Sequence, residues 1–242
     1  MSPRIIILAE TESTNLFLRA MSEAEELASG SIVLANFQTA GRGLSGNSWE
    51  SEAGKNLTFS ILLYPKNVPS NRPFVIAEIA SLSIKQTLDK YIPDVSVKWP
   101  NDIYCRDKKI AGILIENILF LGKIIQSIIG IGININQTTF LSDAPNPVSM
   151  AQVTGKQYDL QSILNDFRQS FAAHSERLNS RHFKAIHQDY ISVLYRKAGL
   201  HTYRDATGLF EAQLLDIEPT GQLVLKRTDG IISRHAFKEV TF

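Results

Sequence analysis

The sequence predicts an α+β protein in two parts, and three observations carry that reading. Over residues 1–196, apolar β-branched runs alternate with amphipathic helical stretches. After Gly199 the texture changes to short strands with turn signals between them: residues 208–217, Pro219-Thr220-Gly221, residues 222–227, Asp229-Gly230 and residues 231–237. Three strands in so short a span predict a small antiparallel barrel. A boundary near Lys197 then divides the chain into residues 1–196 and 197–242.

Each element follows from local pattern. Residues 4–9 are apolar and β-branched and read as a buried strand. Ser13-Thr14-Asn15 offers capping oxygens to a helix with Leu18, Met21, Glu25 and Ala28 in helical spacing, and Gly30 as its stop. Residues 31–37 make a second strand, residues 38–56 a glycine-rich segment, and residues 57–64 a third strand. Residues 73–91 carry Ile76, Ile79, Ala80, Ser83, Ile84 and Leu88 on one stripe of a long helix. Strands follow at 95–99, 110–117 and 123–134, with turns at Asp107-Lys108 and Leu121-Gly122. Residues 143–147 read as a proline-broken loop, and residues 159–179 and 181–195 as two helices.

Composition excludes several classes. The chain has 242 residues, 44% hydrophobic and 20% charged, which suits a globular protein with a real core. A net charge of +1 gives no overall attraction to nucleic acid or an anionic membrane. The single cysteine, Cys105, excludes an internal disulfide and fits a reducing compartment. No apolar stretch approaches the roughly 20 residues of a membrane span, and the start of the chain lacks a cleavable signal pattern. The expectation is a soluble, cytoplasmic protein. The five histidines have no metal-ligand spacing.

Three segments are candidates for chemistry. Gly41-Arg42-Gly43-Leu44-Ser45-Gly46 spells the dinucleotide fingerprint, but the next regular element is a strand where that motif needs a helix. It is no P-loop, because Asn47 stands where a lysine belongs, and the kinase catalytic segments are missing. A surface turn remains open; so does an anion-binding loop, with Arg42 between glycines and Trp49 close behind. In Lys98-Trp99-Pro100-Asn101-Asp102, Asp102 can hold a magnesium ion or a ribose, although an ordinary Asn-Asp turn fits equally. Lys109 enters the apolar strand Ile110-Ala111-Gly112-Ile113 and can aim its ammonium into a pocket, or lie solvated beside Lys108. Gly130-Ile131-Gly132-Ile133-Asn134 puts glycines on one strand face and isoleucines on the other, leaving room for a flat ligand.

Taken in order, Ser13-Thr14-Asn15, residues 38–43, Trp49, residues 98–102, Lys109 with Ala111-Gly112, and residues 130–134 resemble the biotin protein ligase family. The likeness covers nearly the whole chain. It implies the class II synthetase-like biotin/lipoate ligase fold, a mixed sheet flanked by helices, followed by an SH3-like barrel. It also implies two half-reactions: biotin and magnesium ATP give biotinyl-adenylate and pyrophosphate, then a lysine of a biotin carboxyl carrier domain takes the biotin.

By the same resemblance, Ser13, Thr14, Asn15, Gln38 and Gly112 would bind biotin, and Arg42, Gly43 and Leu44 would close over it. Lys109 would touch both biotin's carboxylate and the α-phosphate, and Trp49, Asn101, Asp102 and Asn134 would serve the nucleotide. Lys109, Arg42 and Asp102 form the catalytic set, with Asp102 the magnesium ligand. The loop is expected to be mobile until the adenylate orders it. Two departures stand out: relatives often carry basic residues at Leu44 and Asn47, and glycine at Lys238. The rival readings are a lipoate ligase, which shares the fold, and a biotin-responsive repressor. The latter needs a helix-turn-helix ahead of the strand at residue 4, so no DNA partner is expected; a homodimer is left open.

Overall fold

The computed structural model describes residues 1–142 and 145–242, and of Ser45 the backbone only. Asp143 and Ala144, in the expected proline-broken loop, lie outside the described residues. The elements in chain order are β1 (Ile5–Thr11), α1 (Thr14–Ala24), β2 (Ile32–Gln38), β3 (Leu57–Leu63), β4 (Val68–Pro69), α2 (Phe74–Leu88), β5 (Val95–Lys98), β6 (Asp102–Cys105), β7 (Lys108–Phe120) and β8 (Lys123–Ile133). There follow α3 (Met150–Thr154), α4 (Leu160–Asn179), α5 (Phe183–Ser192), β9 (His201–Asp205), β10 (Gly208–Ile217), β11 (Leu223–Arg227) and β12 (Ile232–His235).

Among the described residues, the first eight strands form one mixed sheet in the order β1-β2-β3-β8-β7-β6-β5, with β4 paired to β8. Only β1–β2 is parallel. The twofold alternation of a strand decides what each face does. On β3, Leu57, Phe59, Ile61 and Leu63 join the main core with Ile129, Ile131 and Ile133 of β8, under α2 and α4. Phe59 meets Phe167 of α4 edge-on at 5.1 Å between ring centres. The other face shows Leu62 and Ile128 to α1 and the segment after it, where Leu18 and Leu27 cover them. Beyond α1 that face carries small and polar residues, and it stays open.

Several expectations change. The strand read as buried at residues 4–9 is the sheet's outer strand, and Ile7 is 60% exposed because β1 has a neighbour on one side only. The first helix stops at Ala24, since Glu25 is extended at φ −145°, so Ala28 is not helical. Ser13 takes the cap position without a side-chain capping bond. The hairpin turn falls at Arg106-Asp107, one residue early, with Arg106 at φ +54°. Four elements were not foreseen: the short β4, the β6 strand after the Asn101 turn, α3, opened by a Ser149–Gln152 capping box, and β9, whose polar sequence hides a strand.

β9–β12 form the small antiparallel sheet expected after Lys197, in the order β12-β11-β10-β9. It docks on the first part through specific contacts. Trp99 Nε1 donates to the Gly221 carbonyl at 2.8 Å, and the Phe74 N–H to the Pro219 carbonyl at 3.2 Å. Gly221 sits at φ +98°, and a Cβ there would lie 2.7 Å from the Phe74 ring. His187 of α5 bridges the two parts, with Nδ1 2.6 Å from Glu78 of α2 and Nε2 2.8 Å from Asp216 of β10.

That bridge makes docking pH-dependent. The hydrogen bond to Glu78 raises the His187 pKa most, Asp216 adds to it, and burial opposes both. A raised folded pKa gives stability that is complete below the ordinary histidine value and lost as pH rises through the folded value. The melting temperature of the wild type should therefore exceed that of His187→Gln by about 2–4 °C at pH 6, the effect of roughly 1 kcal/mol in a chain this size. By pH 9 thermal denaturation should show most of that gap closed; a gap independent of pH would leave the bridge without an ionic contribution.

Candidate active site

The register of the mixed sheet lays the floor of a cleft of about 340 Å³. Asp102 of β6 pairs with Gly112 of β7, Gly112 with Gly132 of β8, and Gly132 with Thr58 of β3. The next row on the same face is Leu114, Gly130 and Ser60. The missing side chains are filled from above. A Cβ on Gly130 would collide with the Asn15 amide, and one on Gly132 with the Trp49 indole. At Gly112 it would come 3.0 Å from Trp49 Cζ3 and 3.3 Å from Lys109 Cε. The indole thus lies flat on bare backbone between the two ends of the cleft.

One end is uncharged and rich in hydrogen-bonding groups. Ser13, Thr14 and Asn15 are almost fully buried at the start of α1. Gln38 Oε1 accepts from the Thr14 N–H at 2.7 Å and from its hydroxyl at 3.1 Å. The buried Ser60 hydroxyl lies 2.7 Å from Thr14 Oγ1 and 2.6 Å from Asn15 Oδ1. Thr14, Asn15, Gln38 and Ser60 hold one another, so this part of the cleft keeps its shape without a ligand.

The other end is charged. Lys109 Nζ lies 2.6 Å from Asp102 Oδ1, an ion-pair contact without hydrogen-bond alignment, and 5.7 Å from the centre of a Trp49 ring. Lys98 Nζ donates to the Tyr104 hydroxyl at 2.9 Å and stands 5.1 Å from the centre of the Phe242 ring. Burial pushes the Lys98 pKa down, Asp102 pulls it up, and Arg196 and Lys109 push it down again. Burial and Asp102 together hold the Tyr104 pKa up at about 12, so it is a phenol near neutrality. Asn101 anchors the turn, its Nδ2 donating to the Ile113 carbonyl at 2.9 Å. The chain's end closes the wall with Phe237, Lys238, Val240, Thr241 and Phe242. Lys238 adopts φ +69°, the left-handed region that favours glycine.

The glycine segment folds as a small hairpin around a 3₁₀ turn at Leu44–Gly46. The Gly43 N–H donates to Asn47 O at 2.6 Å and the Trp49 N–H to Gly41 O at 2.9 Å. Arg42, Gly43 and Leu44 all line the cleft. The Arg42 guanidinium, however, lies 3.5 Å from Glu116 of β7, paired to a carboxylate rather than placed beside Lys109. Asn134 is absent from the lining among the described residues. It is 3% exposed, donates from Nδ2 to Val148 O at 3.2 Å, and keeps a buried Oδ1 without a partner.

Residues 8–134 match the family model described as "Biotin/lipoate A/B protein ligase family". The chain belongs to the biotin/lipoate A/B protein ligase family. Within it, the chain is 29% identical over 231 residues to the bifunctional ligase/repressor BirA of Bacillus subtilis, covering 93% of this chain and 69% of that protein. It is also 29% identical over 236 residues to the biotin–[acetyl-CoA-carboxylase] ligase of Paracoccus denitrificans, covering 93% of this chain and 95% of the relative. Among solved structures, the biotin protein ligase of Aquifex aeolicus in complex with biotin and ATP superposes with a TM-score of 0.79 at 26% identity. That match covers 98% of this chain and 97% of the other.

Sequence reasoning passed over four parts of this ligase-family site. Lys98 lies within its motif with no local signal of a role. Ser60 is one of two small hydroxyls in an otherwise apolar run, and its spacing of two from Thr58 is the available signal. Glu116 and the C-terminal wall reach the site only through long-range contacts. The glycine floor itself gives a direct test. Gly132→Ala should weaken biotin binding by about 5- to 150-fold, the range for 1–3 kcal/mol of overpacking under Trp49. Calorimetric titration with biotin checks this, and unchanged affinity would mean that the indole shifts freely.

Proposed function

We propose that the cleft joins biotin to ATP as biotinyl-5′-AMP, releasing pyrophosphate, and then transfers biotin to a lysine of a carrier protein. The observation that carries this reading is Lys109: one ammonium at the junction of an uncharged hydrogen-bonding end and a charged end. Biotin's ureido ring offers both donors and an acceptor, which suits Ser13, Thr14, Asn15 and Gln38. Its chain then runs past Gly112 along the indole, bringing the carboxylate to Lys109. ATP occupies the end formed by Asn101, Asp102, Lys98 and the C-terminal residues, with its α-phosphate at the same ammonium.

Two anions must meet before they react, and Lys109 offsets that repulsion in a site shielded by Trp49. The carboxylate oxygen attacks the α-phosphorus and the bond to the β-phosphate breaks. The acceptor amine then attacks the acyl carbon, AMP leaves with the C–O electron pair, and the amine loses a proton. Asp102 is the one carboxylate among the described residues lining the cleft, and no cluster of three metal-binding side chains occurs among them. That fits magnesium, which takes one or two carboxylates together with phosphate oxygens. Asp102 would hold the ion, which when bound neutralises phosphate charge, and Lys109 is then free to turn to the reacting oxygens.

The acceptor is the carrier domain of a biotin-dependent carboxylase, in keeping with the Paracoccus relative's name. Among the described residues no helix is long and apolar enough to cross a membrane. The buried free Cys105 fits the cytoplasm, and the net charge of +1 fits a protein partner rather than DNA. A homodimer is compatible with this arrangement. Residues 1–196 serve as the catalytic part and 197–242 as a C-terminal SH3-like part that also walls the nucleotide end. Lipoate is disfavoured because its dithiolane ring would leave buried polar groups unpaired.

Pyrophosphate exchange into ATP tests the reading: it should require biotin and magnesium, and lipoate should not replace biotin. Lys109→Ala should cut the exchange rate by about 10²–10³-fold with the melting temperature retained, the scale of losing one preorganised charge. A near-normal rate in the folded variant would remove Lys109 from the chemistry. A second expectation concerns Leu44, half-buried in the cleft wall beside Arg42 and Gly43. Leu44→Arg should slow escape of preformed, labelled adenylate by at most about tenfold, because an exposed loop screens most of a charge-assisted bond. Unchanged or faster release would show that leucine already seals the loop by packing.

A further inference from the structure

Glu116 takes no part in the proposed chemistry, yet its carboxylate joins three pieces of the site. Oε2 accepts from Asn15 Nδ2 at 3.0 Å and lies 3.2 Å from an Arg19 nitrogen of α1. Oε1 lies 3.5 Å from the Arg42 guanidinium. The side chain is 22% exposed, and both oxygens are occupied. Exposed ion pairs contribute little, but this one is partly buried and shared among a helix, a strand and a loop.

The sharing has direction. A carboxylate only accepts, so Asn15 must turn its NH₂ toward Glu116, where the Leu114 carbonyl also lies at 3.4 Å. Asn15 Oδ1 then accepts the one Ser60 hydroxyl proton at 2.6 Å, so Ser60 Oγ can only accept from Thr14 Oγ1 at 2.7 Å. The single Thr14 proton lies between Ser60 and Gln38 Oε1, which also takes the Thr14 N–H. Glu116 therefore sets one end of a relay that orients the biotin-binding groups. Its other oxygen meets Arg42, the only charged residue in the segment 41–49. A rearrangement of the glycine hairpin changes what surrounds the same carboxylate that fixes Asn15.

We propose that Glu116 is a positioning residue that tethers the glycine hairpin through Arg42 while it orients Asn15, so that loop closure and biotin recognition are coupled through one carboxylate. This deepens the proposed function and rests on it for the identity of the ligand; the tether itself does not. Glu116→Gln keeps an acceptor of the same size for Asn15 and removes the charge that holds Arg42.

The test is a double-mutant cycle of Glu116→Gln and Arg42→Gln, each variant first checked for a native melting curve. Two readouts are taken: chymotryptic cleavage of ligand-free protein at residues 44 and 49, and dissociation of preformed, labelled biotinyl-adenylate. Glu116→Gln should raise both rates about fivefold, the scale of one partly screened ion pair, and raise the KM for biotin with the KM for ATP near wild type. Adding Arg42→Gln to Glu116→Gln should raise the cleavage rate no further, because the tether is already cut. Additive effects on cleavage, or a Glu116→Gln protein with wild-type cleavage and release, would overturn the proposal. Should the wild type fail to form an adenylate, the function reading falls, and the cleavage cycle on ligand-free protein still decides the tether.

Discussion

The pairing of Gly112 with Gly132 across β7 and β8 is the constraint on which the site depends. It puts two bare positions side by side in the middle of a sheet, flanked by Asp102 on one side and Thr58 on the other. There a tryptophan can lie against backbone instead of side chains. Had either strand slipped by one residue, isoleucines would face the cleft and glycines the core. The apolar packing beneath, with Ile131 and Ile133 under α2 and α4, is therefore what holds the register, and with it the floor of the site.

Charge is distributed in the same economical way. Three of the cations around the cleft have a neighbour close by: Lys109 has Asp102, Lys98 has the Tyr104 hydroxyl, and Arg42 has Glu116. At Lys98 burial still pushes the pKa down, and the nearby Asp102 charge opposes that push. At Lys109 an incoming anion therefore exchanges one partner for another instead of meeting naked charge, and the ammonium needs to turn only a short way.

Much of this was legible in the chain. The alternation at residues 130–134 gave the two sheet faces, and the ordered motifs located Ser13, Thr14, Asn15, Gln38, Trp49, Asp102 and Lys109, which the fold gathers into one cleft. What stayed hidden depends on distance along the chain. Asn15 and Glu116 meet across 101 positions, and Trp99 and Gly221 across 122, so no local pattern pairs them. Outer and inner strands can share the same apolar composition, which is why β1 read as buried. Arg42 shows a different limit: its motif says that a cation is present, but only the strand beside it says which way that cation points.

The contact of Trp99 with the Gly221 carbonyl has a practical consequence. The chain holds two tryptophans in unlike settings. One indole N–H is buried and unpartnered above the glycine floor, and the other is hydrogen-bonded where the two sheets join. Their emission should differ in wavelength and quenching. Replacing either ring by phenylalanine would leave a single intrinsic fluorophore, so that one variant reports events in the cleft and the other reports separation of the two parts, with no dye attached.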